Sequence, residues 1–245
     1  RGDMQTTIKM AERQQGEGIP LRILKALFLL KWVREFKATP RNVAILLIDR
    51  PEIDIRAHEK AVREGLAQLE SQSCLQRNGD LFEFLTDTEK DIETEIKNTE
   101  IDESEVADLL SKVLFTDVLR DPKIRYEGNG QDYVYARKLD DQCIGRGADV
   151  AINLITTEHP NHTHIPTLAA QNTGKAELLA ILPADTGLSD QARLYLKTQK
   201  YVQQNPGGED ETRKSILAER SKQNSARRTE MQELAGEYLS KSPLY

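Results

Sequence analysis

Apolar positions along the first third of the chain fall into three helical stripes followed by a short alternating stretch. From Leu21 to Phe36 they run almost unbroken through Ile23, Leu24, Leu27, Phe28, Leu30, Trp32 and Val33, with Lys25, Lys31 and Arg34 as interruptions. A segment apolar nearly all round predicts the central helix of a small domain. Thr39-Pro40 pairs a capping residue with the residue best tolerated in a first turn, and so predicts a second, short and mostly buried helix carrying Val43, Ala44, Leu46, Leu47 and Ile48. A third begins at Asp54 as N-cap, with Ile55, Val62, Leu66 and Leu69 at steps of seven, four and three. Apolar stretches then flank Asn78-Gly79, the dipeptide suited to the two positive φ angles of a type I′ turn. In that register Leu75 faces Phe82, Arg77 faces Asp80, and Phe84 shares the inward face with Phe82. Three helices and a hairpin in this order predict a winged-helix domain over residues 20–88.

Beyond the hairpin the period changes twice. Asp87 to Asn98 predicts a helix, and Asp102 or Ser104 caps another carrying Val106, Leu109, Leu110, Val113, Leu114 and Val118. Ile124–Tyr126 and Tyr133–Arg137 flank the turn-rich EGNGQD, while VAINLI (150–155) and LLAIL (178–182) are short apolar runs of buried-strand type. Strands clustered between helical stretches predict a small mixed sheet and an α+β class. After Ser189 the pattern is helical again, with a break at Asn205-Pro206-Gly207-Gly208 and a charged segment from about Asp210 to Ser240. Its few anchors (Ile216, Leu217, Met231, Leu234, Leu239) favour a helix projecting towards a partner. The expected organisation is therefore residues 1–19 as the tail of an upstream helical segment, 20–88 the winged helix, 89–186 acidic helices plus a mixed-sheet domain, and 187–245 a C-terminal helical segment. The opening Arg1 and the helical character of RGDMQTTIKMAERQQGEG read as the start of a fragment.

Composition narrows the function. The chain has 245 residues, 38% hydrophobic and 30% charged, with net charge -6. The longest uninterrupted apolar run in the first predicted helix, Ala26–Leu30, falls far short of the ~20 residues a bilayer requires, so no membrane partner is expected. The two cysteines, Cys74 and Cys143, give no zinc-ligand spacing and fit a reducing cytoplasm. Residues 87–110 hold ten acidic and two basic side chains, a block that repels phosphate. Residues 20–90, with twelve basic and eleven acidic, are close to neutral. Arg56, Lys60 and Arg63 on the third helix and Arg77 on the hairpin are the candidate contacts for nucleic acid, against a protein-docking role that the mixed charge serves equally well.

Other candidates carry less chemistry. His159, His162 and His164 sit in HPNHTH, but Pro160 and Pro166 mark a loop with only Glu158 as an acidic neighbour, short of a zinc-type ligand set. NTGKAE (172–177) has Ala169 and Ala176 where a phosphate loop needs Gly and Ser or Thr. Gly145–Gly147 precedes a strand instead of following one. Asp132, Asp140, Asp141 and Asp149 raise the alternative of a metal-dependent nuclease, which requires carboxylates converging on shared ions.

LKALFLLKWVREFKATPRNVAILLID (24–49), LESQSCLQRNGDLFEFLTDTEKDIETEIKNTEID (69–102), KIRYEGNGQDYVYARKLDD (123–141) and ELLAILPAD (177–185) together resemble the BrxC/PglY family of P-loop ATPases from BREX phage-defence systems. That resemblance implies a large cytoplasmic antiviral ATPase, with ATP and magnesium as cofactors of the full-length protein. The implied partners are a DNA methyltransferase, a phosphatase-like component and double-stranded DNA. No residue here matches the family's nucleotide-binding motif, which implies that it lies upstream, so no catalytic, cofactor or metal residue is carried over. The expected role is a non-catalytic adaptor coupling ATPase state to DNA or partner binding. The alternatives are the nuclease above or an oligomerisation element built on the C-terminal helix.

Overall fold

The computed structural model describes residues 18–31, 33, 35–206 and 210–245. The expected upstream tail, together with Trp32, Arg34 and Gly207–Gly208, lies largely outside these residues. The chain divides into two compact units, one of residues up to Asn98 with Asp210–Ile216, the other of Thr99–Glu209 with Leu217–Tyr245.

In the first unit, α1 (Ile19–Leu30), α2 (Pro40–Leu46) and α3 (Ile55–Ser71) precede an antiparallel hairpin of β1 (Leu75–Asn78) and β2 (Leu81–Phe84), and α4 (Asp87–Asn98) follows. Each start is written locally. Thr39 Oγ1 accepts from Asn42 N with Pro40 in the first turn, and Asp54 accepts from the backbone of Arg56 and Ala57. At α4, Thr86 N donates to Glu89 Oε2 and Glu89 N to Thr86 Oγ1, a capping box. Leu24 of α1, Val62, Leu66 and Leu69 of α3, and Leu75 and Phe84 of the hairpin form one buried cluster. Gly65 allows the close approach of α1, since a Cβ there would lie 2.8 Å from Ile23 Cδ1. Phe28 meets Phe84 edge-on at 5.4 Å between ring centroids.

Four expectations for this unit change in detail. The central helix stops at Leu30 instead of reaching Phe36. The Lys31 amide donates to Phe28 O in a tightened last turn, and its ammonium turns onto Phe84 O and Glu89. Buried His58, its Nε2 3.0 Å from Ala44 O, continues the α3 stripe, while Ile55 stays exposed. On and just after α2, Val43, Ala44 and Leu47 are buried, but Ile45, Leu46 and Ile48 face solvent. The hairpin turn lies one residue later than expected: Asn78 pairs with Leu81 and only Gly79 has positive φ (58°). Glycine at the first central position is the type II′ arrangement. Leu75 therefore pairs with Phe84 and Arg77 with Phe82. A partner shift of two residues leaves side chains on their expected faces, so Phe82 and Phe84 remain turned inward.

The second unit opens with α5 (Glu103–Ser111), whose Glu105 side chain accepts from the Asp102 amide, and runs into a π-helical segment over Lys112–Leu119. β3 (Lys123–Tyr126), β4 (Gln131–Leu139), β5 (Gln142–Ile144), β6 (Val150–Ile155), α6 (Ile165–Asn172), β7 (Glu177–Ile181), α7 (Gly187–Gln204) and α8 (Glu211–Lys241) follow. The sheet is mixed, in order β3-β4-β6-β7, with β6 parallel to β4 and β7, β3 antiparallel to β4, and β5 paired antiparallel with β4. Leu139, Leu154 and Ala180 stand in register on one face and enter a core with Leu110, Leu114, Ala192 and Met231. Ile155, Leu179 and Ile181 face the other way, against Leu168 of α6.

Two elements depart from the sequence reading. HTHIP is not all loop: Pro166 occupies the first turn of α6, where a missing N–H costs nothing. From Leu217 onward α8 does not project. Leu217, Met231, Ala235 and Tyr238 are buried, and Asn224 Nδ2 donates to Tyr195 O at 3.0 Å. Its stripe is narrow because Arg220, Gln223, Asn224 and Arg227 are buried beside the apolar anchors, which hides the packed face from hydropathy alone. Cys74 is buried and Cys143, on β5, exposed.

Candidate functional site

Thr39, Pro40, Arg41, Arg63, Arg77 and Phe82 line an open cavity of about 340 Å³ where α2, α3 and the hairpin meet, and Glu70 and Asp80 line it as well. Two of the four arginine and lysine candidates from the sequence thus come together, Arg63 and Arg77. Arg56 and Lys60 lie earlier on α3 and do not line the cavity. Arg41 joins the pair. It gives no sequence signal, because only the α2–α3 packing set by Val43 and Leu66 brings the α2 start beside the hairpin.

The guanidiniums are held to different degrees. Arg77 Nε donates to Gly79 O at 2.8 Å, its plane lies over the Phe82 ring at 5.8 Å, and Asp80 is 3.8 Å away. Arg63 pairs with Glu59 one turn earlier at 2.7 Å, and Lys60 with Glu64 at 3.9 Å, both exposed. Surface i,i+4 pairs of this kind contribute only ~0.3–0.5 kcal/mol, so Arg63 exchanges its partner easily. The hairpin itself is firmly seated. Lys31 Nζ, with its side chain 4% exposed, donates to Phe84 O and Glu89 Oε2, each at 2.6 Å. Burial pushes the Glu89 carboxyl up, but Lys31 and Thr86 outweigh that and hold it below the usual carboxylate range.

In the second unit the four candidate carboxylates do not converge. Asp132 and Asp140 stand at opposite ends of β4, roughly 26 Å apart along the strand. The Tyr135–Val150 register sets Asp149 beside the middle of β4, roughly 20 Å short of Asp140. Asp140 and Asp141 are the two residues of the β4–β5 turn, both with positive φ (49° and 68°). Their side chains are committed to the fold. Asp140 accepts from Thr156 N and Oγ1, both at 2.7 Å, and its burial raises its pKa above the aspartate norm in spite of those bonds. Asp141 takes Asn153 Nδ2 at 2.8 Å and His159 Nε2 at 3.0 Å; burial raises its pKa, but these two partners bring it below the norm. Asn153 also donates to Glu177, which pairs with Lys138.

The histidines serve the same scaffold. His159 Nδ1 accepts from Asn161 N, and His162 Nε2 meets Leu182 O at 2.8 Å. Among the described residues no group of three or more His, Cys, Asp or Glu side chains is placed to hold a metal. Gly174-Lys175 follows a helix and precedes strand β7, the reverse of a phosphate loop.

Fold and groove together define a two-unit α+β protein with an arginine-lined cleft on its first unit. Residues 99–245 match the family model described as the BREX ATP-binding protein BrxC 4th domain with six-stranded beta sheet, and the chain belongs to the BrxC family. The match starts at Thr99, the first residue of the second unit, and takes in Asp210–Ile216 of the first. Five strands form the sheet here, and Pro243–Tyr245 pairs antiparallel with β7 through Leu179 and Ile181, at the place of a sixth. No solved structure matches the chain. Among the described residues no helix is long and apolar enough to cross a membrane.

Proposed function

We propose that this chain is a non-catalytic contact module of a cytoplasmic BREX phage-defence ATPase, its first unit a winged helix that engages DNA phosphates. The observation that carries this reading is the meeting of Arg41, Arg63 and Arg77 in one open cleft between helix and hairpin. Planar guanidiniums are suited to phosphate oxygens, and a rigid hairpin fixes their spacing. The mixed sheet and its helices connect that contact to the rest of the ATPase and to other BREX components, the methyltransferase and phosphatase-like proteins among them.

Salt dependence of binding to a 30-base-pair duplex, read by fluorescence anisotropy, tests the proposal. Each phosphate neutralised adds about -0.9 to the slope of log affinity against log salt, so R41A/R77A flattens the slope by about 1.8 while R56A leaves it unchanged. Absent binding, or a slope unmoved by R41A/R77A, overturns the phosphate reading and assigns the cleft to protein docking.

A further inference from the structure

β3 meets no backbone partner among the described residues over its outer side, and neither does the three-residue β5, which also pairs only with β4, whereas Pro243–Tyr245 occupies the edge of β7. Tyr126 O accepts from Gly130 N on the β4 side. Antiparallel alternation then points the backbone groups of Lys123 and Arg125 outward. The side chains alternate as well. Ile124 (45% exposed) and Tyr126 (60%) join Tyr133 (41%) and Leu178 along an apolar groove of about 330 Å³. Lys123 and Arg125 stand on the opposite face, in no ion pair or hydrogen bond among the described residues; Asp132 lies in register with Arg125 on the inner side. Two β3 edges brought together would crowd four cations, the device by which edge strands avoid self-pairing.

We propose that β3 docks an extended segment of a partner protein in which acidic and apolar residues alternate, added to the sheet as a further strand. Its apolar side chains lie beside Ile124 and Tyr126, and its carboxylates face Lys123 and Arg125. This surface belongs to the second unit and does not depend on DNA binding by the first.

The test uses the full chain and four fluorescent nine-residue peptides: alternating Glu and Val, the same with Lys for Glu, a permutation that groups the Glu residues, and a Glu–Val form N-methylated at alternate positions. The unmodified Glu–Val peptide binds at least ten-fold more tightly than the other three. K123E/R125E reverses the preference towards the Lys–Val peptide, and I124S weakens Glu–Val binding while thermal melting stays unchanged. Equal binding of alternating and permuted peptides, indifference to N-methylation, or no binding overturns the proposal. So does a preference that survives K123E/R125E but is lost in R41A/R77A, which places the peptide in the arginine cleft. Self-association in sedimentation that I124S abolishes assigns the edge to a second copy and also overturns it.

Discussion

Lys31 shows how one buried charge can fix the attitude of a whole hairpin. Its ammonium bridges the β2 carbonyl of Phe84 and the first turn of α4 at Glu89, and sits 5.9 Å from the centre of the Phe84 ring. Removing one partner of a buried pair leaves an uncompensated charge, so Lys31→Met is expected to lower stability by about 3–5 kcal/mol in urea denaturation. The pH dependence follows from Glu89. Its folded pKa lies below the unfolded value of about 4.3, so its contribution is full above that value and is lost as pH falls through the folded pKa. Denaturation midpoints measured from pH 7 to pH 3 should fall below about pH 4, and less steeply in Glu89→Gln. None of this was visible in the sequence, where Lys31 was only an interruption in an apolar run. Its role depends on Phe84 and Glu89, more than fifty positions away.

At the scale of elements, caps and stripes were legible because their signals are local. Thr39-Pro40, Asp54 and the Val62–Leu66–Leu69 stripe do what their spacing says. The buried aromatic side of the hairpin was equally legible, because a two-residue error in partner leaves facing intact. What was not legible depends on neighbours. β5 is too short to announce itself, and the Asp140-Asp141 turn reads as a carboxylate pair until both residues are seen in left-handed backbone. Helix α8 hid its packed side because that side mixes Met231 and Ala235 with buried Arg227 and Asn224. Met231→Ala should therefore cost about 2–5 kcal/mol. Deleting residues 217–245 should yield aggregated protein in light scattering, where a projecting helix would leave a folded remainder. A smaller, folded species of unchanged core stability would refute the packing.

Across the whole molecule, the acidic block of residues 87–110 and the arginine cleft set opposite demands on a polyanion. The block carries ten acidic side chains against two basic ones and so repels phosphate. The candidate cleft was half legible: Arg63 and Arg77 carried a signal, and Arg41 did not, since it is distant from them in sequence and has no pattern of its own. One feature of the thiols offers a practical handle on this division. Cys143, exposed on β5, flanks β4 on the side away from β6, while Cys74 is buried under the hairpin. A maleimide dye should couple once per chain, verifiable by intact mass, with peptide mapping to the β5 site. The unmutated protein thus comes with a single reporter position beside the open strand edge, whose emission should respond to an added strand.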